Sequence, residues 1–201
     1  MDTNKVLVPS GFPGVNMHLG DHICHFHYGY THLLTKVVPF ISAGLDNNEK
    51  CLIYLEPKLK TVFRKLMGEK SLLAEKDGNL EFIEPSFITE LYIYASVDRI
   101  EQYYIREAEK TTALGFKALR ITGQVEIILA QTNYAQMIFI ETVTNRIIKK
   151  LPIVGLCEYP FQFNLPKDFL IQLRRMHSYL LSGEKLIGDN RQLSAVSTDL
   201  N

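Results

Sequence analysis

The chain has 201 residues, 46% of them hydrophobic and 22% charged, with 22 basic and 22 acidic side chains. This suits one ordinary globular domain that can bury a core without disulfide or metal staples, and the charge balance argues against a nucleic-acid footprint. The three cysteines, Cys24, Cys51 and Cys157, are odd in number and far apart, which argues against a disulfide framework and for a reducing compartment.

The opening MDTNKVLVPSGFPGVN has no charged start followed by a long apolar run, so no secretory signal is read there. Up to about Gly20 the prolines and glycines predict irregular chain. HICHF reads as a first strand. THLLTKVVPFISAGL reads as a helix, with Leu34, Val37, Val38 and Ile41 on one stripe, Gly44 at its C-terminus and a kink expected at Pro39. KCLIYLE predicts a second strand ended by Pro57, KLKTVFRKLMG a helix, and NLEFIEP a third strand. Val97 to Leu114 predict a long amphipathic helix, FKALRITG a fourth strand ended by Gly123, and NYAQMIFIETVTNRIIKK a helix. PIVGLCEYP gives a fifth strand and LPKDFLIQLRRMHSYLL a last helix. The domain core is expected over about 18–182, with residues 183–201 a polar, loosely held tail. No stretch approaches the ~20 apolar residues that span a bilayer, so a cytoplasmic protein without a membrane partner is expected. A net charge near zero leaves homo-oligomerisation open.

Strands alternating with helices predict an α/β fold with a mainly parallel central sheet flanked by helices. Ligands in such sheets bind beyond the carboxyl ends of the strands. The expected rim is His27, Tyr28 and Tyr30 after the first strand, Glu56 after the second, Glu84 and Ser86 after the third, Gln124 and Glu126 after the fourth, and Glu158 and Tyr159 at the close of the fifth. Strand, tight loop, helix and a strand ending in Glu is the layout of a phosphate-loop ATPase. That loop needs several glycines, a Lys and a Ser or Thr. HYGYTH offers one glycine, and ITGQVE has no Asp for magnesium. ATP is therefore not expected as a ligand.

Five of the six histidines lie between His18 and His32. On a strand, His22 and Cys24 share one face and His25 and His27 the other. Either pair suits a soft or borderline metal, although buried cysteine is more often a small hydrophobe. His27, Tyr28, Tyr30 and His32 could line an apolar pocket with a few polar handles, or simply pack under a loop. Glu56, Glu84, Glu126 and Glu158 are read first as strand-end carboxylates facing solvent or capping helices. No Ser-His-Asp order or nucleophile elbow is visible, so an enzyme is not expected. Tyr92, Tyr94, Tyr103 and Tyr104 are interrupted by acids, unlike a single-strand nucleic-acid surface, and no direct nucleic-acid contact is expected.

GDHICHFHYGYTHLLTKVVPFISAGLDNNEKCLIYLE resembles the start of the MEDS domain, the sensory domain of methanogens and methylotrophs first described in a regulator responding to dichloromethane. GFKALRITGQVEI resembles its middle segment. LPIVGLCEYPFQF and the helix ending in His177 resemble its close, and together these segments cover about 18–182. The resemblance implies a RecA-like core with a degenerate nucleotide loop. It also implies a non-catalytic sensor of a small organic ligand, a hydrocarbon derivative or a methylated compound. The strand order it implies sets the fifth strand beside the first. That brings Cys157 to His22 and Cys24 as a three-ligand metal set, and His177 to the same cluster. The expected ligand-binding residues are thus His22, Cys24, His25, His27, Tyr28, Tyr30, His32, Glu56, Gln124, Glu126, Cys157, Tyr159 and His177. Family members are often fused to kinase or DNA-binding modules. This chain has room for neither, so output would pass to a sensor kinase or transcription regulator in trans. The alternative is a metal- or haem-dependent redox sensor built on His22 and Cys24.

Overall fold

The computed structural model describes residues 6–161, 165–183 and 185–188. Strands β1 (Leu7–Pro9) and β2 (Asn16–His18) form an antiparallel hairpin, and β3 (His22–His27) then runs into helix α1 (Tyr30–Asp46) through only Tyr28 and Gly29. After β4 (Lys50–Tyr54) come α2 (Pro57–Met67), α3 (Glu69–Lys76) and β5 (Leu80–Phe82). A short α4 (Pro85–Thr89) continues as a π-helical turn over Glu90–Tyr94 and leads to α5 (Val97–Ala113). The second half holds β6 (Leu119–Gln124), α6 (Glu126–Leu129), α7 (Tyr134–Ile148), β7 (Ile153–Pro160), α8 (Lys167–Met176), β8 (Tyr179–Ser182) and β9 (Lys185–Ile187).

Seven strands form one sheet in the order β5-β4-β6-β7-β3-β8-β9. Every neighbouring pair is parallel except β8 with β9. Side chains alternate between the sheet's faces, so each strand feeds two cores. One holds Cys24, Leu52, Tyr54, Ile121, Cys157 and Tyr159 against α5, α7 and α8. The other holds Ile23, Cys51, Ile53, Val154 and Leu156 against α1, α2 and the hairpin. The fold is therefore α/β with a mostly parallel sheet covered on both sides, which is why the strands read as continuous apolar runs. Among the described residues no helix is long and apolar enough to cross a membrane.

Several local expectations are corrected. The opening is not irregular up to Gly20, because the hairpin buries Val8, Phe12 and Met17. The last helix stops at Met176: His177 has extended backbone, and the chain turns into β8, with Ile23 opposite Tyr179. The polar tail begins as β9, paired with β8, while residues 189–201 lie outside the described residues. Helix α1 continues past Gly44 to Asp46 with Pro39 inside it. Gly44 serves packing instead of capping, since a Cβ there would lie 2.6 Å from Arg120 Cδ. Gly123 sits inside β6 for the same reason, with the Tyr54 ring filling the space of its missing side chain.

Arg120 is the largest fully buried side chain. Its Nε donates to Glu49 Oε2 at 2.6 Å and its Nη2 to Glu49 Oε1 at 3.1 Å. Nη1 donates to the Phe40 carbonyl at 2.9 Å and Nη2 also to that of Pro9 at 2.7 Å. The guanidinium thus ties the hairpin, α1 and the start of β4 to the centre of the sheet. Breaking such a pair strands a buried charge, at a cost of about 3–5 kcal/mol. Glu49→Gln should lower stability by that amount, read as a drop in the urea midpoint at unchanged m-value.

Candidate functional site

The site is set by the register of β3 on β7. His22 lies opposite Gly155, Cys24 opposite Cys157, His25 opposite Glu158 and His27 opposite Pro160. Alternation then sorts the cluster HICHFHYGYTH into two places.

On the α7 and α8 side, His22 Nε2 lies 3.0 Å from Cys157 Sγ. Gly155 admits the imidazole, because a Cβ there would sit 3.1 Å from His22 Cδ2. Helix α7 contributes Glu141. Its Oε1 accepts from the Tyr159 hydroxyl, and its Oε2 lies 3.5 Å from His22 Nε2 and 3.4 Å from His177 Nε2. His177, which closes α8, lies with its ring centroid 4.1 Å from that of His22. Its Nδ1 donates to the Leu173 carbonyl at 2.7 Å. One ligand atom from each of His22, Glu141, Cys157 and His177 falls within 4.8 Å of the others, and all four residues are buried. His22 Nδ1, Glu141 Oε2 and His177 Nε2 have no hydrogen-bond partner among the described residues. Burial pushes the Cys157 and Cys24 thiols well above the ordinary range, with Glu141 adding to both shifts. Burial also depresses both imidazoles. A cavity of about 20 Å³ adjoins the cluster, bounded also by Tyr54, Tyr92 and Tyr104.

On the opposite face, His25 Nδ1 meets Glu158 Oε2 at 2.6 Å with both residues buried. Burial lowers His25 to about 4 and raises Glu158 well above the carboxylate range. A neutral pair sharing one proton is therefore favoured over an ion pair. His32 stands edge-on to His25 at 4.9 Å and accepts from the Tyr28 backbone N–H through Nδ1 at 3.2 Å. Tyr28 itself is 72% exposed.

At the carboxyl edge, the Tyr30 hydroxyl donates to Glu56 Oε2 at 3.2 Å, and the Glu56 backbone N–H donates to Gln124 Oε1 at 3.1 Å. Gln124 Nε2 donates to Glu126, whose Oε2 lies 3.6 Å from His27 Nε2. Of these groups, Glu56 and Glu126 line an open pocket of about 660 Å³, with Leu129, Tyr134, Pro160 and Leu165 among the other lining residues.

The expected residues are thus dispersed. His22, Cys157 and His177 converge, with Tyr159 supporting them. Cys24 is the register partner of Cys157, but its sulfur is not among the four converging atoms. His27, Tyr30, Glu56, Gln124 and Glu126 form the rim, and His25 with His32 forms a separate pair. Glu158 is not a solvent-facing strand end, because β7 runs past it and buries it completely. Glu84 does face solvent. Glu141 was not anticipated. Its signal is a carboxylate on the mainly apolar face of Met137, Ile140 and Ile148, where the helix period calls for a hydrophobe.

A family model described as the methanogen/methylotroph, DcmR sensory domain (MEDS) matches residues 21–178. No curated protein matches the chain. The fold is similar to the crystal structure of a KaiC-like protein from the hyperthermophilic archaeon Pyrococcus horikoshii OT3. The TM-score is 0.60 at 16% identity, over 87% of this chain and 79% of that one. At that identity the likeness concerns the fold alone.

Burial lowers His27, like His25, to about 4. An unfolded imidazole titrates near 6.5, so between pH 6.5 and about 4 the unfolded chain binds protons that the folded chain refuses. These two groups make stability rise with pH across that window. Glu158, shifted upward, acts with the opposite sign above the ordinary carboxylate range. His27→Asn should therefore flatten the dependence of stability on pH between about 4 and 6.5 by about one proton. Imidazole NMR should show His25 and His27 neutral at pH 5.5; a His27 titrating near 6.5 would contradict this geometry.

Proposed function

From the premise that this chain belongs to the MEDS family of sensory domains, we propose that it is a non-catalytic sensor. Its small organic ligand, a hydrocarbon derivative or methylated compound, binds at the carboxyl edge of the sheet, and its response passes to a partner protein. The observation that carries this reading is the open pocket of about 660 Å³ between α6, α7 and the end of β7. It lies where parallel α/β sheets place ligands, and its volume is that of a small-molecule site. Leu129, Tyr134, Pro160 and Leu165 supply apolar surface, and Glu56 and Glu126 supply charge.

The chemistry favours a methylated ligand with cationic character. Two carboxylates beside a tyrosine ring attract an ammonium or sulfonium whose methyl groups need no hydrogen bonds. Binding suits these carboxylates better than catalysis does, because each is already held by a neighbour, Glu56 by Tyr30 and Glu126 by Gln124. A signal requires the ligand to favour one of two states. Helix α7 is the element suited to carry it, since it begins in the pocket at Tyr134 and reaches the centre of the buried cluster at Glu141.

Calorimetry with tetramethylammonium, dimethyl sulfide and dichloromethane tests the proposal. Saturable binding is expected for at least one of them, strongest for the cation. Glu126→Gln should weaken binding of the cation about tenfold, the order of one coulombic contact at a solvent-open site. Absence of saturable binding for all three would overturn the reading.

A further inference from the structure

We propose that His22, Glu141, Cys157 and His177 together bind one divalent metal ion of the zinc class in the apolar layer between the sheet and α7. This goes beyond the rim pocket and does not depend on it.

Geometry is the first support. A tetrahedral zinc ion with Zn–N of about 2.0–2.1 Å, Zn–O of about 2.0–2.2 Å and Zn–S of about 2.3 Å separates its ligand atoms by roughly 3.3–3.6 Å. Two observed separations fall in this range, 3.5 Å for His22 to Glu141 and 3.4 Å for His177 to Glu141; His22 to Cys157 is shorter at 3.0 Å, and all four atoms lie within 4.8 Å of one another, so small side-chain shifts complete the tetrahedron. The four atoms come from β3, α7, β7 and the end of α8, so the folded chain holds them together without any one segment arranging them.

The second support is what these atoms lack. The Leu173 carbonyl can only accept, so His177 Nδ1 carries the hydrogen and neutral His177 presents a lone pair at Nε2. That lone pair faces the lone pairs of Glu141 Oε2 across 3.4 Å, with both atoms buried and neither hydrogen-bonded. Two buried acceptors face to face are costly. An electropositive centre between them turns the repulsion into coordination. The outer contacts have the form that metal ligands use: a backbone carbonyl fixes the His177 tautomer, and the Tyr159 hydroxyl holds the second carboxylate oxygen.

Charge is the third. A divalent ion with one thiolate, one carboxylate and two neutral imidazoles is neutral overall, the arrangement that an apolar layer tolerates best. On binding, the Cys157 S–H bond breaks, the sulfur's electron pair forms the bond to the metal, and the proton passes to buffer. The adjoining cavity of about 20 Å³ has room for an ion or a single water. It has no room for a porphyrin, so the ion is preferred to haem. An ion bound here pins the middle of α7 and the end of α8 to the sheet.

The test strips the full chain with a chelator under reducing conditions and titrates it with cobalt(II) chloride, a spectroscopic stand-in for zinc. The expected result is saturation at one cobalt per chain, with intense tetrahedral d–d bands and a thiolate-to-cobalt charge-transfer band. Cys157→Ser should abolish the charge-transfer band, and Cys51→Ser, on the other face of the sheet, should leave it intact. Glu141→Gln keeps the side-chain volume and should weaken cobalt binding at least tenfold. Circular dichroism of each variant confirms that it is folded. A folded wild-type chain that takes up no cobalt would overturn the proposal and assign the cavity to water. A charge-transfer band that survives Cys157→Ser but is lost in Cys24→Ser would overturn the ligand assignment.

Discussion

The parallel register of β3 on β7 is the constraint on which the rest of the molecule depends. It sets Cys24 against Cys157 and His25 against Glu158. A slip of one residue would exchange the faces, moving His22 away from Cys157 and burying His25 in the layer under α7. The register is specified by burial on both faces. Ile23 and Leu156 belong to one core, and Cys24, Cys157 and Tyr159 to the other. It is also specified by size. Gly155 is the position opposite His22, and it leaves the space that the imidazole occupies.

Burying this many polar groups is costly unless each finds a partner. Each face meets that cost only in part. On the α1 side the compensation is complete at Arg120, whose donors reach Glu49 and two backbone carbonyls. His25 and Glu158 avoid charge by sharing a proton, but His25 Nε2 and Glu158 Oε1 have no partner among the described residues. On the α7 side compensation is partial too, with Glu141 and His177 each holding one satisfied atom and one orphan. Natural cores tolerate few such orphans, and those that persist call for a physical explanation, a bound water or ion among them. The rim pocket and the buried cluster share parts: β7 carries Cys157 inward and Pro160 to the rim, and α7 carries Glu141 inward and Tyr134 to the rim.

Much of this was legible in the sequence. The alternation of apolar runs with amphipathic stretches located the central strands and the long helices, because those periods follow from burial alone. The pairing of His22 with Cys24 on one face and His25 with His27 on the other followed from strand geometry. What stayed hidden depended on neighbours distant in sequence. The strands at Leu7–Pro9, Asn16–His18 and Lys185–Ile187 are short and gain stability only from pairing. Gly44 and Gly123 read as stops but are clearances for Arg120 and Tyr54. The burial of Glu158 needed the β3 partner to be known. Glu141 could have been flagged as a carboxylate on an apolar stripe, but its role required the fold that brings α7 over β7.

The central claim is that four side chains along the β3–β7 seam form a single site. Weighing the intact chain, purified without chelator, under native and then denaturing conditions tests it most directly. The account predicts a native mass one divalent ion above that of the chain, lost on denaturation. A bare chain mass in both states, persisting after equilibration with zinc, would contradict it.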